Sequence, residues 1–211
     1  DYGKYNIPNH KGFLFYSIFQ WIERKGAKDL LKVYWETFQG RTDVTLLLKT
    51  YRTTYDRREV DMIITDIRNW KREMGNIAFP KVLVAPMLLT NDNLMKLHNT
   101  GDCYISAGHG EGWNRPIQEA LLMGKTVISG VQGGIDDYLT QDVYFPVKST
   151  PSQVVEVPWI PLYKASMNWV TTDREKLKEA MMYVFANKDI ANIKGIKAKE
   201  FIKEQFSYHK I

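Results

Sequence analysis

Residues 102–134, DCYISAGHGEGWNRPIQEALLMGKTVISGVQGG, carry the clearest indication of the fold in this sequence. An apolar run at 102–106 is followed by a glycine-rich loop, by a helical pattern that begins at Pro116, and by a second apolar run at 126–129. Proline is well accepted in the first turn of a helix, and glycines allow a backbone to approach a ligand closely. This order predicts a strand, a ligand-binding loop, a helix and another strand.

The same alternation continues on both sides of this stretch. Apolar runs predict further strands at 13–19, 43–49, 81–85 and 143–147, and helical periods lie between most of them. The alternation predicts a doubly wound, Rossmann-like α/β domain, with a parallel sheet of about six strands covered on both faces. Residues 148–171 have no clear period and are predicted to be an ordered loop.

Two pairs of residues have the spacing of helix caps. Asp56 with Glu59, and Thr172 with Glu175, each place a short polar side chain three residues before a glutamate. We therefore expect helices to begin there, and a last helix to run from about 190 to 206.

The composition is that of a folded globular chain. Hydrophobic residues make up 44% of the 211 residues and charged residues 25%, which excludes disordered, collagen-like and disulfide-rich classes. The single cysteine, Cys103, lies in an apolar run and is predicted to be buried, and the four histidines show no metal-ligand spacing. No apolar run approaches the roughly 20 residues of a membrane helix. We expect a cytoplasmic location, no secretory leader, no transmembrane segment, no metal and no cofactor.

The formal net charge of +5 suits an anionic partner. Nucleic acid, an anionic membrane surface and a phosphorylated small molecule all fit that charge. The stretch from Lys49 to Arg58 mixes basic and aromatic residues as nucleic-acid surfaces do, but a solvated loop and helix start is the stronger interpretation, so no nucleic-acid partner is expected. Because the chain begins at Asp1 without methionine, we expect it to be part of a longer protein.

The glycine-rich loop is the strongest candidate site, because doubly wound sheets bind ligands at the carboxyl ends of their strands. The amides of Trp113, Asn114 and Arg115 would lie at a helix N-terminus, which favours anions. Glu111 precedes the helix and Glu119 lies within it, so the two carboxylates are expected to face a shared cleft. Carboxylates accept well from vicinal hydroxyls, as in ribose contacts. A capping loop with a solvated helix face explains these residues equally well.

The stretch from Glu111 to Ala120, with Gly124, residues 127–129 and the pair Gly133-Gly134, resembles the Glu–seven residues–Glu signature of family-4 retaining glycosyltransferases. The resemblance extends over roughly residues 12–208. It implies the GT-B architecture of two doubly wound domains, of which this chain would be the C-terminal, donor-binding one. Residues 1–11 would be a linker remnant, 12–189 the core, and 190–211 a helix directed toward the missing N-terminal domain.

The resemblance also implies roles for individual residues. Glu119 would accept hydrogen bonds from the ribose of the donor, and Glu111 would hold hydroxyls of the transferred sugar near its reacting face. Lys25 matches the phosphate-binding lysine of the family and would stabilise charge on the leaving diphosphate. The backbone of the loop would contact sugar and diphosphate through Gly110, Gly112, Trp113, Asn114 and Arg115.

Two positions depart from the family pattern. Gln20 stands where the family usually has an arginine, so either phosphate binding is weaker or Arg24 or Lys49 supplies the charge. Asn114 stands where the family usually has a glycine. Asparagine tolerates unusual φ angles better than most residues, so the loop is expected to keep its shape, or Asn114 contacts the sugar itself.

Other motifs are weaker. Residues 124–126, Gly-Lys-Thr, resemble the end of a P-loop, but the first glycine of that motif would stand at position 119, which is a glutamate. No glycine triplet follows the first strand, which excludes the NAD fingerprint. Asp136 and Asp137 are better explained by a turn than by a metal pair. His109 either contacts a phosphate or is a plain loop histidine. Trp159 and Trp169 are expected to pack in the core, with acceptor contact as the alternative.

Taken together, the sequence predicts the donor-binding domain of a retaining glycosyltransferase. It would bind a nucleoside-diphosphate sugar and transfer a hexose-type sugar to a hydroxyl of a glycan, lipid or protein acceptor, held mainly by the missing domain. The fragment alone is expected to be inactive. The alternatives are a non-catalytic sugar-nucleotide binding module, a nucleotide-sugar epimerase-like domain and, more remotely, an RNA-binding domain.

Overall fold

A computed structural model of the chain describes residues 2–131, 133–136, 138–154 and 163–206. Its main sheet is formed by β1 (Phe13–Gln20), β2 (Val44–Tyr51), β3 (Lys81–Ala85), β4 (Cys103–Ser106), β5 (Thr126–Gly130) and β6 (Phe145–Val147). The helices are α1 (Ala27–Thr37), α2 (Arg57–Glu73), α3 (Asn91–Thr100), α4 (Arg115–Leu122), α5 (Arg174–Ala186) and α6 (Lys188–Gln205). The six strands are parallel, in the order β3-β2-β1-β4-β5-β6, which confirms the predicted doubly wound sheet.

The central strands are buried on both faces, as strands of a parallel sheet should be. Along β1, Phe15 packs into a core cluster with residues of α1, α2 and α5, whereas its neighbour Tyr16 packs into a second cluster with residues of α3, α4 and α6. Cys103 in β4 has no exposed surface, and burial raises the pKa of its thiol well above the ordinary value. Helices on both faces of the sheet therefore separate two cores.

The segment after β6 differs from the prediction. Residues 148–171 were expected to form a loop, but β7 (Ser149–Gln153) and β8 (Asn168–Thr172) pair as an antiparallel two-stranded sheet. Residues 155–162, which include Trp159, lie outside the described residues. Trp169 lies in β8 and is half-buried.

The two predicted caps have different outcomes. Asp56 accepts a hydrogen bond from the amide of Glu59 at 2.9 Å, as expected, whereas the Glu59 carboxylate accepts from the amides of Thr53 and Thr54. The prediction that Thr172 caps the next helix is wrong. Thr172 is buried at the end of β8, and Asp173 caps α5 by accepting from the amide of Lys176 at 3.0 Å.

The strand order reverses between β1 and β4, so the loops that leave these two strands lie side by side. The backbone amide of His109 donates to the carbonyl of Arg24 at 2.7 Å. Gly26 has φ +66°, and a Cβ atom there would lie 2.0 Å from the carbonyl oxygen of Ala107. This point of reversal is where doubly wound sheets bind their ligands. Within the described ranges, no helix combines the length and apolar character that a membrane span requires.

Candidate functional site

The loops after β1 and β4 bring together three charged side chains. Lys25 Nζ lies 2.5 Å from Glu111 Oε1, and Arg24 Nη1 lies 3.3 Å from Glu111 Oε2. The side chain of Glu111 is only 8% exposed, so the two cations compensate a nearly buried carboxylate. Burial lowers the pKa of Arg24, but Glu111 and the Tyr163 hydroxyl raise it by more, so its pKa lies above the ordinary value.

Arg24 is fixed at this position by further contacts. Its Nε donates to the hydroxyl of Tyr163 at 2.8 Å, and its Nη1 also donates to the carbonyl of Gly110. Of the two residues that were alternatives for the missing arginine, Arg24 is therefore the one that lies beside Glu111. Gln20 instead donates its side-chain amide to the carbonyl of Arg52 at 2.7 Å.

The glycines around Glu111 fall into two groups. At Gly110 and Gly112, no heavy atom of the described chain lies within 4 Å of where a Cβ would be. At Gly134, by contrast, a Cβ would lie 1.6 Å from the carbonyl oxygen of Gly112, and the Gly134 amide donates to the carbonyl of Glu111 at 3.0 Å. Gly134 thus lets the turn at Gly133-Gly134 pack against the loop that carries Glu111. The open space beside Gly110 and Gly112, by contrast, leaves room for a ligand.

Asn114 is in the left-handed conformation, with φ 54° and ψ 66°, directly before α4. Asparagine is one of the few residues other than glycine that adopts this region readily. Its side-chain amide donates to the hydroxyl of Ser106 at 3.2 Å. Asn114, Lys25, Glu111 and Tyr104 line one cavity of about 10 Å³ at the ends of β1 and β4. The loop therefore keeps its turn without the glycine of the family pattern.

Glu119 lies on α4, with its side chain 18% exposed. Its Oε1 is 3.4 Å from Arg115 Nη2, and the Arg115 side chain is 82% exposed. Its Oε2 is 3.4 Å from Nε2 of His98, a residue of α3 that is fully buried. The sequence reasoning missed His98, although it lies one helical turn after Leu94 on the side of α3 that faces the core.

Trp113 is 39% exposed at the edge of the site. Its ring stacks on Tyr138 at a centroid distance of 4.4 Å and meets Phe206 edge-on at 5.3 Å. The Tyr138 hydroxyl donates to the Trp113 carbonyl at 2.7 Å. Tyr138 was not singled out from the sequence. Phe206, which caps the C-terminal end of α6, therefore reaches the site.

Two of the candidate residues, His109 and Lys49, pack against aromatic side chains of the protein. The His109 ring stacks on Trp169 at 4.6 Å, and its Nδ1 lies 2.8 Å from the carbonyl of Val170, which favours the plain loop interpretation. Lys49 donates to the hydroxyl of Tyr55 at 3.1 Å and lies over that ring, and burial lowers its pKa. Asp137 lies outside the described residues, among which no group of three metal-ligating side chains was found.

No protein-family model and no curated protein matches the sequence. Solved structures do match. The C-terminal domain of LpcC, a group 1 glycosyl transferase from Francisella tularensis, has a TM-score of 0.67 at 12% identity, with 94% of this chain and 88% of that one covered. HepE from Anabaena, solved with UDP-glucose, has a TM-score of 0.63 at 16% identity, with 92% of this chain and 45% of that one covered.

Sucrose-phosphate synthase from Thermosynechococcus elongatus has a TM-score of 0.66 at 13% identity, and 94% of this chain covers 42% of that one. This chain thus spans less than half the length of HepE and of the synthase. It spans most of the isolated C-terminal domain of LpcC. The chain therefore has the fold of the C-terminal domain of GT-B glycosyltransferases.

Proposed function

We propose that this chain is the donor-binding domain of a retaining glycosyltransferase of the family-4 type. It binds a nucleoside-diphosphate sugar, and with its partner domain it transfers a hexose-type sugar to a hydroxyl acceptor. The observation that carries the proposal is the ion pair between Lys25 and Glu111, formed by residues 86 positions apart at the reversal of the strand order. The UDP-glucose in the structure of HepE supports the choice of ligand class.

The proposed roles follow from the charges at the site. A diphosphate that enters beside Gly110 and Gly112 meets Lys25 and Arg24, whose charges stabilise the negative charge that grows on the leaving group. The Lys25 ammonium then exchanges its carboxylate partner for phosphate oxygens. Glu111, released from Lys25, accepts hydrogen bonds from hydroxyls of the sugar.

Glu119 is assigned to the ribose. Each oxygen of an ionised carboxylate has two lone pairs, so one oxygen can accept from both vicinal hydroxyls of a ribose. Hydrogen bonds to a charged group contribute about 1.5–3 kcal/mol each, roughly twice as much as neutral ones. Glu119 lies on α4 little more than one helical turn beyond the N-cap Asn114, and this separates the ribose from the sugar held at Glu111.

A second candidate function is a sugar-nucleotide binding module without turnover. The observation that favours it is the side chain of Gln20, which carries no charge and is already bonded to the carbonyl of Arg52. The first candidate requires Arg24 to replace the charge of the missing arginine. If the full-length protein turns over a donor, the glycosyltransferase is the correct function. If it binds a donor without turnover, the chain is the non-catalytic binding module.

The experiment that tests the donor role is calorimetry with a panel of nucleoside diphosphates. Glu119→Ala should weaken binding of the preferred member by about 1.5–3 kcal/mol, because the ribose loses charged hydrogen bonds. The matched control is Glu179→Ala, which removes an exposed glutamate of α5 and should leave affinity unchanged. Unchanged affinity in a folded Glu119→Ala protein would remove the ribose role, and no binding by the wild type would contradict the proposal.

A further inference from the structure

We propose that His98 is a positioning residue for Glu119. Its imidazole holds one carboxylate oxygen, Oε2, inside the protein and leaves the other, Oε1, directed to the ligand. The inference rests on the proposed function, because it concerns how Glu119 presents itself to a ribose. It adds a residue that belongs to no part of the Glu–seven residues–Glu pattern.

His98 is enclosed in the core that α3 and α4 form with the sheet. The side chain has no exposed surface, and its Nδ1 lies 3.0 Å from the hydroxyl of Tyr16, which is also fully buried. Its Nε2 is buried without a hydrogen-bond partner among the described residues, and Glu119 Oε2 lies 3.4 Å away. A buried polar nitrogen in this state is costly unless it is paired. A small shift of Glu119 toward His98 would pair it.

The hydrogen-bond partners of His98 determine which nitrogen carries the proton. Burial raises the pKa of Tyr16 well above its ordinary value, so its phenol stays protonated and has a hydrogen to donate. If Tyr16 donates to Nδ1, then Nε2 carries the ring proton and points it at the carboxylate. The opposite tautomer would place a lone pair of Nε2 against a negatively charged oxygen in a buried site. The first arrangement is therefore favoured.

The position of Tyr16 is itself fixed by packing. A Cβ at Gly101, at the end of α3, would lie 2.2 Å from the Tyr16 ring, so only glycine leaves room for that ring. The ring of Tyr16 then meets the ring of His98 edge-on at a centroid distance of 5.5 Å. Gly101, Tyr16 and His98 thus form a supporting chain that ends at Glu119.

The two oxygens of Glu119 are consequently held to different degrees. Oε2 faces a fully buried imidazole, whereas Oε1 faces an arginine whose side chain is 82% exposed. An exposed ion pair of this kind contributes little and is easily exchanged. The oxygen that is free to bind a hydroxyl is therefore Oε1, and a fixed carboxylate binds more tightly because less freedom is lost.

The test compares UDP with 2′,3′-dideoxy-UDP, since only the ribose hydroxyls differ. The wild-type protein should prefer UDP, and His98→Phe should reduce that preference about tenfold, because Glu119 is no longer held. His98→Gln, which keeps an N–H near the place of Nε2, should restore most of it. Nitrogen NMR of the ligand-free protein is the second measurement, and it should find the His98 proton on Nε2.

Each outcome has a defined meaning. A His98 ring protonated on Nδ1 alone would overturn the inference, whatever the ligand results. An unchanged preference for UDP in a folded His98→Phe protein would overturn the inference and leave the proposed function standing. A wild-type protein that binds both nucleotides equally would overturn the ribose role of Glu119 and with it the inference, whereas a wild-type protein that binds neither would contradict the proposed function as well.

Discussion

The ion pair of Lys25 with Glu111 gives the candidate phosphate-binding lysine a counter-charge within the protein. Lys25 Nζ lies 2.5 Å and Arg24 Nη1 lies 3.3 Å from the carboxylate of Glu111. The Glu111 side chain is only 8% exposed, and leaving its charge without a partner would cost several kcal/mol. The two cations that are proposed to bind phosphate therefore also neutralise the Glu111 carboxylate.

A substitution at Glu111 separates the sugar role from the nucleotide role. Glu111→Gln keeps the shape of the side chain but removes its charge, and Lys25 and Arg24 remain. We expect nucleoside diphosphate affinity to stay nearly intact, whereas turnover by the full-length protein falls. Calorimetry and a donor-turnover assay on the same variant measure both.

The matched variant for this comparison is Glu119→Ala, which should show the opposite order of effects. It should lose nucleotide affinity, because Glu119 is assigned to the ribose. If Glu111→Gln lost nucleotide affinity to the same extent as Glu119→Ala, the two roles would have been assigned wrongly.

The placement of the loop residues could be predicted from sequence, whereas the distant residues that contact them could not. The sequence pattern correctly placed Glu111 in the loop and Glu119 in the helix after it, and the tolerance of asparagine for positive φ anticipated the conformation of Asn114. His98, Tyr138 and Tyr163 act through contacts with residues distant in the chain, and a histidine in a helix carries no local mark of such a contact. The sequence left open whether Arg24 or Lys49 supplies the charge of the missing arginine, and the packing of Lys49 against Tyr55 argues for Arg24.

Among the secondary-structure elements, the approach of the β1 turn to the β4 loop depends on Gly26. Gly26→Ala would place its Cβ 2.0 Å from the Ala107 carbonyl oxygen, in addition to the strain at φ +66°. We expect a loss of stability well above the roughly 1 kcal/mol of an ordinary unfavourable glycine replacement, and a lower Tm in calorimetry. Nucleotide affinity should also fall, because Lys25 precedes Gly26 directly.

The matched control for this prediction is Gly40→Ala. Gly40 has a similar φ of +78°, but nothing lies within 4 Å of its added Cβ. That variant should report the backbone strain alone, and it should leave nucleotide affinity unchanged. Equal losses of stability in the two variants would show that the contact with Ala107 does not constrain the loops.

The alternation of strands and helices was predictable because the strands of the sheet are short, largely apolar runs and helical periods lie between most of them. The hairpin of β7 and β8 was not, because β7 is the polar sequence Ser-Thr-Pro-Ser-Gln with a proline in its middle. Such a strand shows neither an apolar run nor a clear alternation. The helix cap next to it failed for a similar reason, since Thr172 and Asp173 are both good caps and only the strand pairing decides between them.

For the whole molecule, the relation to longer proteins sets an expectation about activity. The chain spans 45% of the length of HepE, and the proposed function assigns the acceptor to a further domain. Holding donor and acceptor together contributes roughly 7–11 kcal/mol to lowering a barrier. We expect the 211-residue chain to bind a nucleoside diphosphate weakly but not to transfer sugar at a useful rate.

Incubation of this chain with a matched donor and acceptor tests that expectation, with the full-length protein as the positive control. Product should form only with the full-length protein. Clear turnover by the 211-residue chain would show that one domain is sufficient for transfer.

The single cysteine of the chain can report how often the central strands of the sheet separate. Cys103 lies in β4 between β1 and β5, and a thiol reagent needs an accessible thiolate, which burial and the raised pKa both withhold. Covalent labelling can therefore proceed only in molecules whose central strands have separated. The growth of the labelled mass with time, at increasing reagent concentration, then gives the frequency with which the middle of the sheet opens under native conditions, without any engineered probe.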